Sequence, residues 1–112
     1  MRLHELQARA IQIQDLYFQL NEQERGRRWT TEETMLGFVR DVGDLAKLVM
    51  AQEGARADTG GRAALGHELA DCLWSVLVIA HAYQIDLEHE FQTTMRALER
   101  SITARLAPPA ER

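Results

Sequence analysis

The chain contains no proline before Pro108, and its only other proline is Pro109. Proline in a helix interior removes a backbone donor and clashes with the preceding turn, so its absence leaves nearly the whole chain free to form helices. Apolar residues recur at three- and four-residue spacing, and no segment shows the two-residue alternation of a half-buried strand. The sequence therefore predicts an all-α fold.

Polar or glycine-containing breaks divide the apolar pattern into four amphipathic segments. They predict a four-helix unit with helices at about residues 2–23, 31–53, 62–83 and 87–106. Thr30-Thr-Glu-Glu33 has the spacing of a capping box at the start of the second helix. Asp86 is a suitable N-cap for the fourth.

The break between the second and third helices is rich in glycine and predicts a flexible loop. It contains Gly54, Asp58, Gly60 and Gly61, residue types that favour turns over continued helix. We expect a single helical domain over residues 1–106 and a flexible C-terminal tail over residues 107–112.

Charge and cysteine content restrict the partners and the compartment. The formal net charge is −4, which disfavours binding to a nucleic-acid backbone because such binding needs a basic face. The single cysteine, Cys72, gives no internal disulfide and no sign of an oxidising compartment. The longest apolar stretch, residues 69–82, contains Asp71 and is too short to cross a bilayer. We expect a cytoplasmic protein that binds neither nucleic acid nor membrane.

The amount of apolar sequence predicts self-association. A four-helix chain of 112 residues buries only about two-thirds of its surface on folding. The apolar residues of the third and fourth helices exceed what one short chain can cover, so we expect a homodimer or a homotetramer.

Two pairs of acidic residues lie on the two central helices. Asp41 and Asp44 are three residues apart, as are Glu68 and Asp71, and this spacing places each pair on one helix face. The helical arms between the pairs and the glycine loop are roughly 15 Å and 10 Å long at about 1.5 Å per residue. A helical hairpin would therefore bring four carboxylates to about the same height.

Asp71 is the most informative of the four, because it begins the most apolar part of its helix. A buried carboxylate without a partner is costly, and a hard cation with oxygen ligands would satisfy it. Mg²⁺ suits carboxylates combined with substrate phosphates. In the alternative interpretation the acids lie on solvated helix faces, where Arg40 and Lys47 provide ordinary ion pairs for Asp44.

Two short motifs resemble those of the MazG-like all-α nucleoside triphosphate pyrophosphohydrolases. The first is Arg40-Asp-Val-Gly-Asp-Leu-Ala-Lys47, similar to the family's Glu-x-Gly-Glu-Leu-Ala stretch. The second is Glu68-Leu-Ala-Asp-Cys-Leu-Trp74, similar to its Glu-Leu-x-Asp-x-Leu stretch. Ile85-Asp-Leu-Glu88 resembles the turn into the family's last helix, and Trp29 fits an aromatic position before its second helix.

The resemblance implies an activity, a cofactor and a set of site residues. The activity would be hydrolysis of a nucleoside or deoxynucleoside triphosphate to the monophosphate and pyrophosphate in a helical dimer or dimer of dimers. One or two Mg²⁺ ions, with Mn²⁺ as an alternative, would be held by four catalytic carboxylates: Asp41, Asp44, Glu68 and Asp71. Such ions clamp phosphate oxygens and activate water.

The chain departs from the family pattern at several positions. Asp41 and Asp44 replace glutamates and are shorter by one methylene each, and Arg40 replaces an optional leading glutamate. Thr94 and Leu98 stand where the family often has a Lys and an Asn that touch phosphate.

Other side chains could fill these roles. Lys47, Arg96 and Arg100 are candidate phosphate ligands, although Arg96 and Arg100 also fit a solvated basic face. Trp29 could stack on a base or pack against the bundle.

Two alternative functions stay open, the first because of these departures and the second because of the shared type of fold. The chain could be a catalytically degenerate helical dimer that binds a nucleotide or a protein partner. It could also act on another substrate, as do the phosphoribosyl-ATP pyrophosphohydrolases that share this type of fold.

Overall fold

The computed structural model describes residues 2–55 and 60–111, with only the backbone at Glu111. It contains four helices: α1 (Leu3–Arg25), α2 (Thr31–Gln52), α3 (Gly61–Ala82) and α4 (Leu87–Leu106). No strand occurs in the described ranges. The all-α four-helix prediction is confirmed, and each helix end lies within two residues of its expected position.

Local interactions explain where the helices begin and end. Thr30 and Glu33 form the capping box expected for α2, each side chain accepting a hydrogen bond from the other residue's backbone N–H at 3.1 Å. Asp86 caps α4 by accepting a bond from the backbone N–H of His89 at 3.0 Å. Gly26 ends α1 with a φ of 72°, a left-handed conformation that glycine adopts at little cost.

Part of the predicted glycine loop and tail lies outside the described residues. Residues 56–59, including Asp58, are among these, so the flexibility of the loop stays a prediction. In the predicted tail, Pro109–Glu111 form a short 3-10 helix.

The central helix is α3, as its apolar sequence predicted. α2 packs along one side of it, and α1 packs on another. Leu77 and Val78 of α3 are almost fully buried against Ala10 of α1. Two side-chain bonds join α1 to α3: Trp74 Nε1 donates to the carbonyl of Ala10 and Gln7 Nε2 donates to the carbonyl of Leu77, both at 3.1 Å.

The last helix, α4, contacts the rest of the chain mainly at its first turn. Leu87 packs against the core, and Glu88 lies 3.9 Å from His4 of α1. The remaining apolar side of α4 is exposed, at Phe91, Met95, Leu98, Ile102 and Leu106. α4 therefore extends away from the other helices instead of closing a compact bundle.

The length and apolar character of α3 meet the criterion for a membrane-spanning helix. As a whole, Gly61–Ala82 is long and apolar enough to cross a bilayer by length and composition. The expectation from residues 69–82, which are too short to do so, does not hold for the complete helix. The central helices of soluble proteins meet the same criterion, and α3 here packs against both α1 and α2.

Candidate metal and nucleotide site

Three carboxylates from α2 and α3 meet on one side of the molecule. One oxygen from each of Asp41, Asp44 and Glu68 lies within 4.8 Å of the others, and all three residues are partly buried. The three-residue spacing puts Asp41 and Asp44 on the face of α2 that meets α3. The predicted convergence of the two helices is thus present for these three acids.

Among the residues that the structure describes, no basic side chain forms an ion pair with this group. Within residues 2–55 and 60–111, Asp44 pairs with neither Arg40 nor Lys47, the partners that the alternative interpretation offered it. Partial burial raises the pKa of Glu68, and repulsion from Asp41, Asp71 and Asp44 raises it further. Three acids held this close together favour a cation at this position.

Asp71 lies at the edge of this group. The prediction that Asp71 is a buried carboxylate is wrong: its side chain is 44% exposed, and its Oδ2 lies 3.2 Å from Nε2 of His67 one turn earlier. The second half of α3 is the buried part, and Asp71 precedes it. Asp71 is still near enough to raise the pKa of Glu68.

The donor set fits a hard divalent cation. Carboxylate oxygens are the ligands that Mg²⁺ prefers, and an ion held by a few of them keeps coordination positions for water and phosphate. The shorter side chains of Asp41 and Asp44 do not prevent close approach, because both reach the neighbourhood of Glu68.

A pocket of about 610 Å³ adjoins the carboxylates between α1, α2 and α3. Asp41, Asp71 and Arg40 line it on the side of the acids. Its remaining walls include four aromatic side chains: Tyr17, Phe18, Trp29 and Trp74. Tyr17 meets Trp74 edge to face with ring centroids 5.7 Å apart, an arrangement favoured between aromatic rings.

Trp29 belongs to the pocket and also packs against a helix. It is 42% exposed, and the atom Cζ3 of its ring lies 3.6 Å from where a Cβ would stand on Gly37. Both interpretations offered for Trp29 from the sequence are thus compatible with its position, since one part of the ring covers α2 while another lines the pocket.

The structure does not bring the predicted phosphate ligands to the acids within one chain. Arg96 and Arg100 are exposed on α4, which has no extensive contact with α2 or α3 in the described ranges. Lys47 is exposed on α2, one turn beyond Asp44, and does not line the pocket. Arg40 is the basic residue that does line it.

The family model of the MazG nucleotide pyrophosphohydrolase domain matches residues 21–102. This range is most of the chain and contains all four acids. The chain belongs to this family. No curated protein and no solved structure matches it significantly.

In this MazG domain, α1 contributes to the pocket, which the sequence did not predict. Gln14, Tyr17 and Asn21 line it from one face of that helix. Their spacing of three and four residues could have indicated this contribution, because it places two amides on the apolar face that packs inward. Ser75, which is 3% exposed, lines the pocket from α3.

Proposed function

We propose that this protein is a Mg²⁺-dependent nucleotide pyrophosphohydrolase that converts a nucleoside or deoxynucleoside triphosphate to its monophosphate and pyrophosphate. The observation that carries the proposal is the group of three closely spaced carboxylates beside an aromatic pocket in a chain of the MazG family. The acids would hold the metal ion that binds the phosphates, and the pocket would hold the base.

In this proposal Asp41, Asp44 and Glu68 hold the ion, and Asp71 borders the site. A bound Mg²⁺ would neutralise charge on the phosphate oxygens and lower the pKa of a water molecule. Mn²⁺ prefers the same oxygen ligands and would be the alternative.

The reaction also requires a residue of the chain that accepts a proton. Hydrolysis adds one water across the phosphoanhydride bond, and the oxygen that attacks phosphorus releases a proton to a base. A carboxylate that the ion does not fully engage could accept it. Asp71, which borders the three carboxylates that hold the ion, is the candidate.

The proposal includes self-association, with a second copy of the chain as the partner. It is supported by the exposed apolar side of α4 and by the apolar residues exposed on α2, such as Leu36 and Val39. Because α4 stands apart from α2 and α3, an assembly is also the arrangement in which Arg96 and Arg100 could approach a site of another copy.

The test is an assay of pyrophosphate release with Mg²⁺ over a panel of ribonucleoside and deoxyribonucleoside triphosphates, with phosphoribosyl-ATP included. We expect release from at least one substrate, and we expect its loss in Asp41→Asn. Asp15→Asn, an exposed aspartate on α1, is the matched control and should retain activity. Absence of release from every substrate at high enzyme concentration would refute the enzymatic proposal. Mg²⁺-dependent nucleotide binding without release would instead identify the degenerate alternative.

A further inference from the structure

Two amide side chains of α1, those of Gln14 and Asn21, line the pocket. Gln14 and Asn21 are seven residues apart on the same helix face, and both are partly buried. Within the part of the chain that the structure describes, neither side chain makes a hydrogen bond. Gln7, on the same helix, instead donates to the carbonyl of Leu77. No buried side-chain polar atom of the described residues lacks a partner, so the amide atoms of Gln14 and Asn21 are open to solvent and to a group that enters the pocket.

The chemistry of the surrounding walls narrows the nature of that group. The charged residues that line the pocket are Arg40, Asp41 and Asp71, all from α2 and α3. The contribution of α1 is uncharged and is made of apolar and aromatic side chains with the two amides. A flat, neutral ring with polar edges fits such a wall, because aromatic side chains stack on its face and amides bond its edge.

Amides are suited to distinguish one base from another. Each side-chain amide has two donors and an acceptor, and Asn and Gln recognise base edges through paired bonds in other settings. A pocket of about 610 Å³ has room for a base and its sugar. The acids at its other side lie where the attached phosphates would meet the metal.

We propose that Gln14 and Asn21 are the specificity-determining residues of this site and hydrogen-bond the edge of a neutral nucleobase. The inference rests on the proposed function, because that function places the phosphates at the carboxylates. Gln14 precedes the segment that matches the family, residues 21–102, and Asn21 is its first residue. The selectivity for the base would thus be set by a helix that lies mostly outside the matched segment.

The first test compares catalytic efficiencies over dATP, dGTP, dCTP, dTTP and dUTP. In Gln14→Leu and Asn21→Leu, the ratio of kcat/KM between the best and the worst substrate should fall about fivefold to tenfold, the usual effect of one hydrogen bond. Gln19→Leu, an exposed position on α1 outside the pocket, should keep the ratio. An unchanged ratio in both pocket variants, or an equal change in the control, would overturn the proposal.

A second variant tests the same role without adding an apolar group to the pocket. Asn21→Asp keeps the size of the side chain but replaces a donor by an acceptor. It should favour cytosine, which presents an amino group at the position where uracil presents a carbonyl. We expect the ratio of kcat/KM for dCTP to that for dUTP to rise about fivefold. A ratio that does not rise would contradict the role of Asn21 in reading the base.

Tryptophan fluorescence separates this inference from the proposed function. The chain has two tryptophans, and Trp29 and Trp74 both line the pocket. Titration with nucleoside monophosphates without Mg²⁺ should change the emission of the wild type, and Asn21→Leu should weaken this binding about fivefold. This result would support the pocket even if no triphosphate were hydrolysed. No change in emission with any nucleotide would overturn the inference even if hydrolysis were observed.

Discussion

At the scale of single residues, the acids of the site destabilise the metal-free protein. Asp41, Asp44 and Glu68 lie close together, and the raised pKa of Glu68 means that its charged form is disfavoured in the folded state. At neutral pH the folded protein therefore holds a charge that the unfolded chain accommodates more easily. A bound divalent cation would reverse this effect.

Glu68→Gln should separate stability from function. Without metal the variant should melt at the same temperature as the wild type or higher, because repulsion is relieved. With Mg²⁺ the wild type should gain stability, whereas the variant should gain little. Pyrophosphate release should fall about a hundredfold or more, since even residues that only support metal ligands cost about 10- to 100-fold. Differential scanning fluorimetry with and without Mg²⁺ measures the first two effects.

The matched control for this experiment is Glu24→Gln. Glu24 is exposed near the end of α1 and belongs to neither the acidic group nor the pocket. It should respond to Mg²⁺ as the wild type does. If Glu68→Gln were strongly destabilised without metal, the carboxylate would have a structural role and our assignment would be wrong.

The sequence predicted the relative positions of the acids better than it predicted their exposure and the residues around them. Three-residue spacing and the lengths of the helical arms predicted that Asp41 and Glu68 lie at about the same height, because helix geometry is nearly invariant. They did not fix which faces of the two helices meet. Exposure depends on which turns of a helix face its neighbours, and this was misjudged for Asp71. Gln14 and Asn21 were overlooked because two amides among apolar residues carry no recognised motif.

At the scale of elements, the start of α2 is fixed by a group of three side chains. Glu33 accepts a bond from the Thr30 backbone while the Thr30 hydroxyl accepts one from the Glu33 backbone. Arg27 donates to both carboxylate oxygens of Glu33, at 2.6 Å and 3.0 Å. The capping box could be predicted from the sequence, whereas the bond from Arg27 required knowledge of how the chain turns before the helix.

Thr30→Ala should destabilise the protein by about 1 kcal/mol, within the usual range for loss of an N-cap side chain. The substitution leaves the N–H of Glu33 without its partner and removes half of the box. Chemical denaturation with urea measures the difference. Thr93→Ala, an exposed threonine inside α4, is the control and should be neutral or slightly stabilising, because alanine favours helix. An equal loss at both positions would contradict the role of the cap.

The same group predicts a pH dependence. Arg27, and then the backbone of Thr30, lower the pKa of Glu33 to about 2, compared with its ordinary 4.5. A carboxyl group whose pKa is lowered on folding contributes stability above the unfolded pKa, and the contribution is lost as the pH falls towards the folded value. The difference in melting temperature between wild type and Glu33→Gln should therefore be constant above about pH 5.5 and should shrink between pH 4.5 and 2. A difference that stays constant down to pH 2 would show that ionised Glu33 does not stabilise the fold.

At the scale of the whole molecule, the isolated chain is too open for its size. Its radius of gyration is 18.5 Å, whereas a compact domain of this length would have about 13 Å. Its accessible surface is 8725 Å², against about 6,300 Å² for a compact monomer of the same mass. The excess of about 2,400 Å² per chain would give a dimer interface of about 4,800 Å² in total, which lies in the range of obligate homodimers.

We therefore predict that light scattering coupled to gel filtration gives a mass two or four times the 12.8 kDa of one chain. Leu98→Lys places a charge on the exposed apolar side of α4 and should shift the protein towards monomers or aggregates, because a buried interface does not tolerate an unpaired charge. Thr93→Lys adds the same charge to an exposed position away from that side and should leave the mass unchanged. If a second copy of the chain also contributes residues to the active site, Leu98→Lys should lose pyrophosphate release together with the higher mass. A wild type that stays monomeric at micromolar concentrations would show that the open shape belongs to the functional protein.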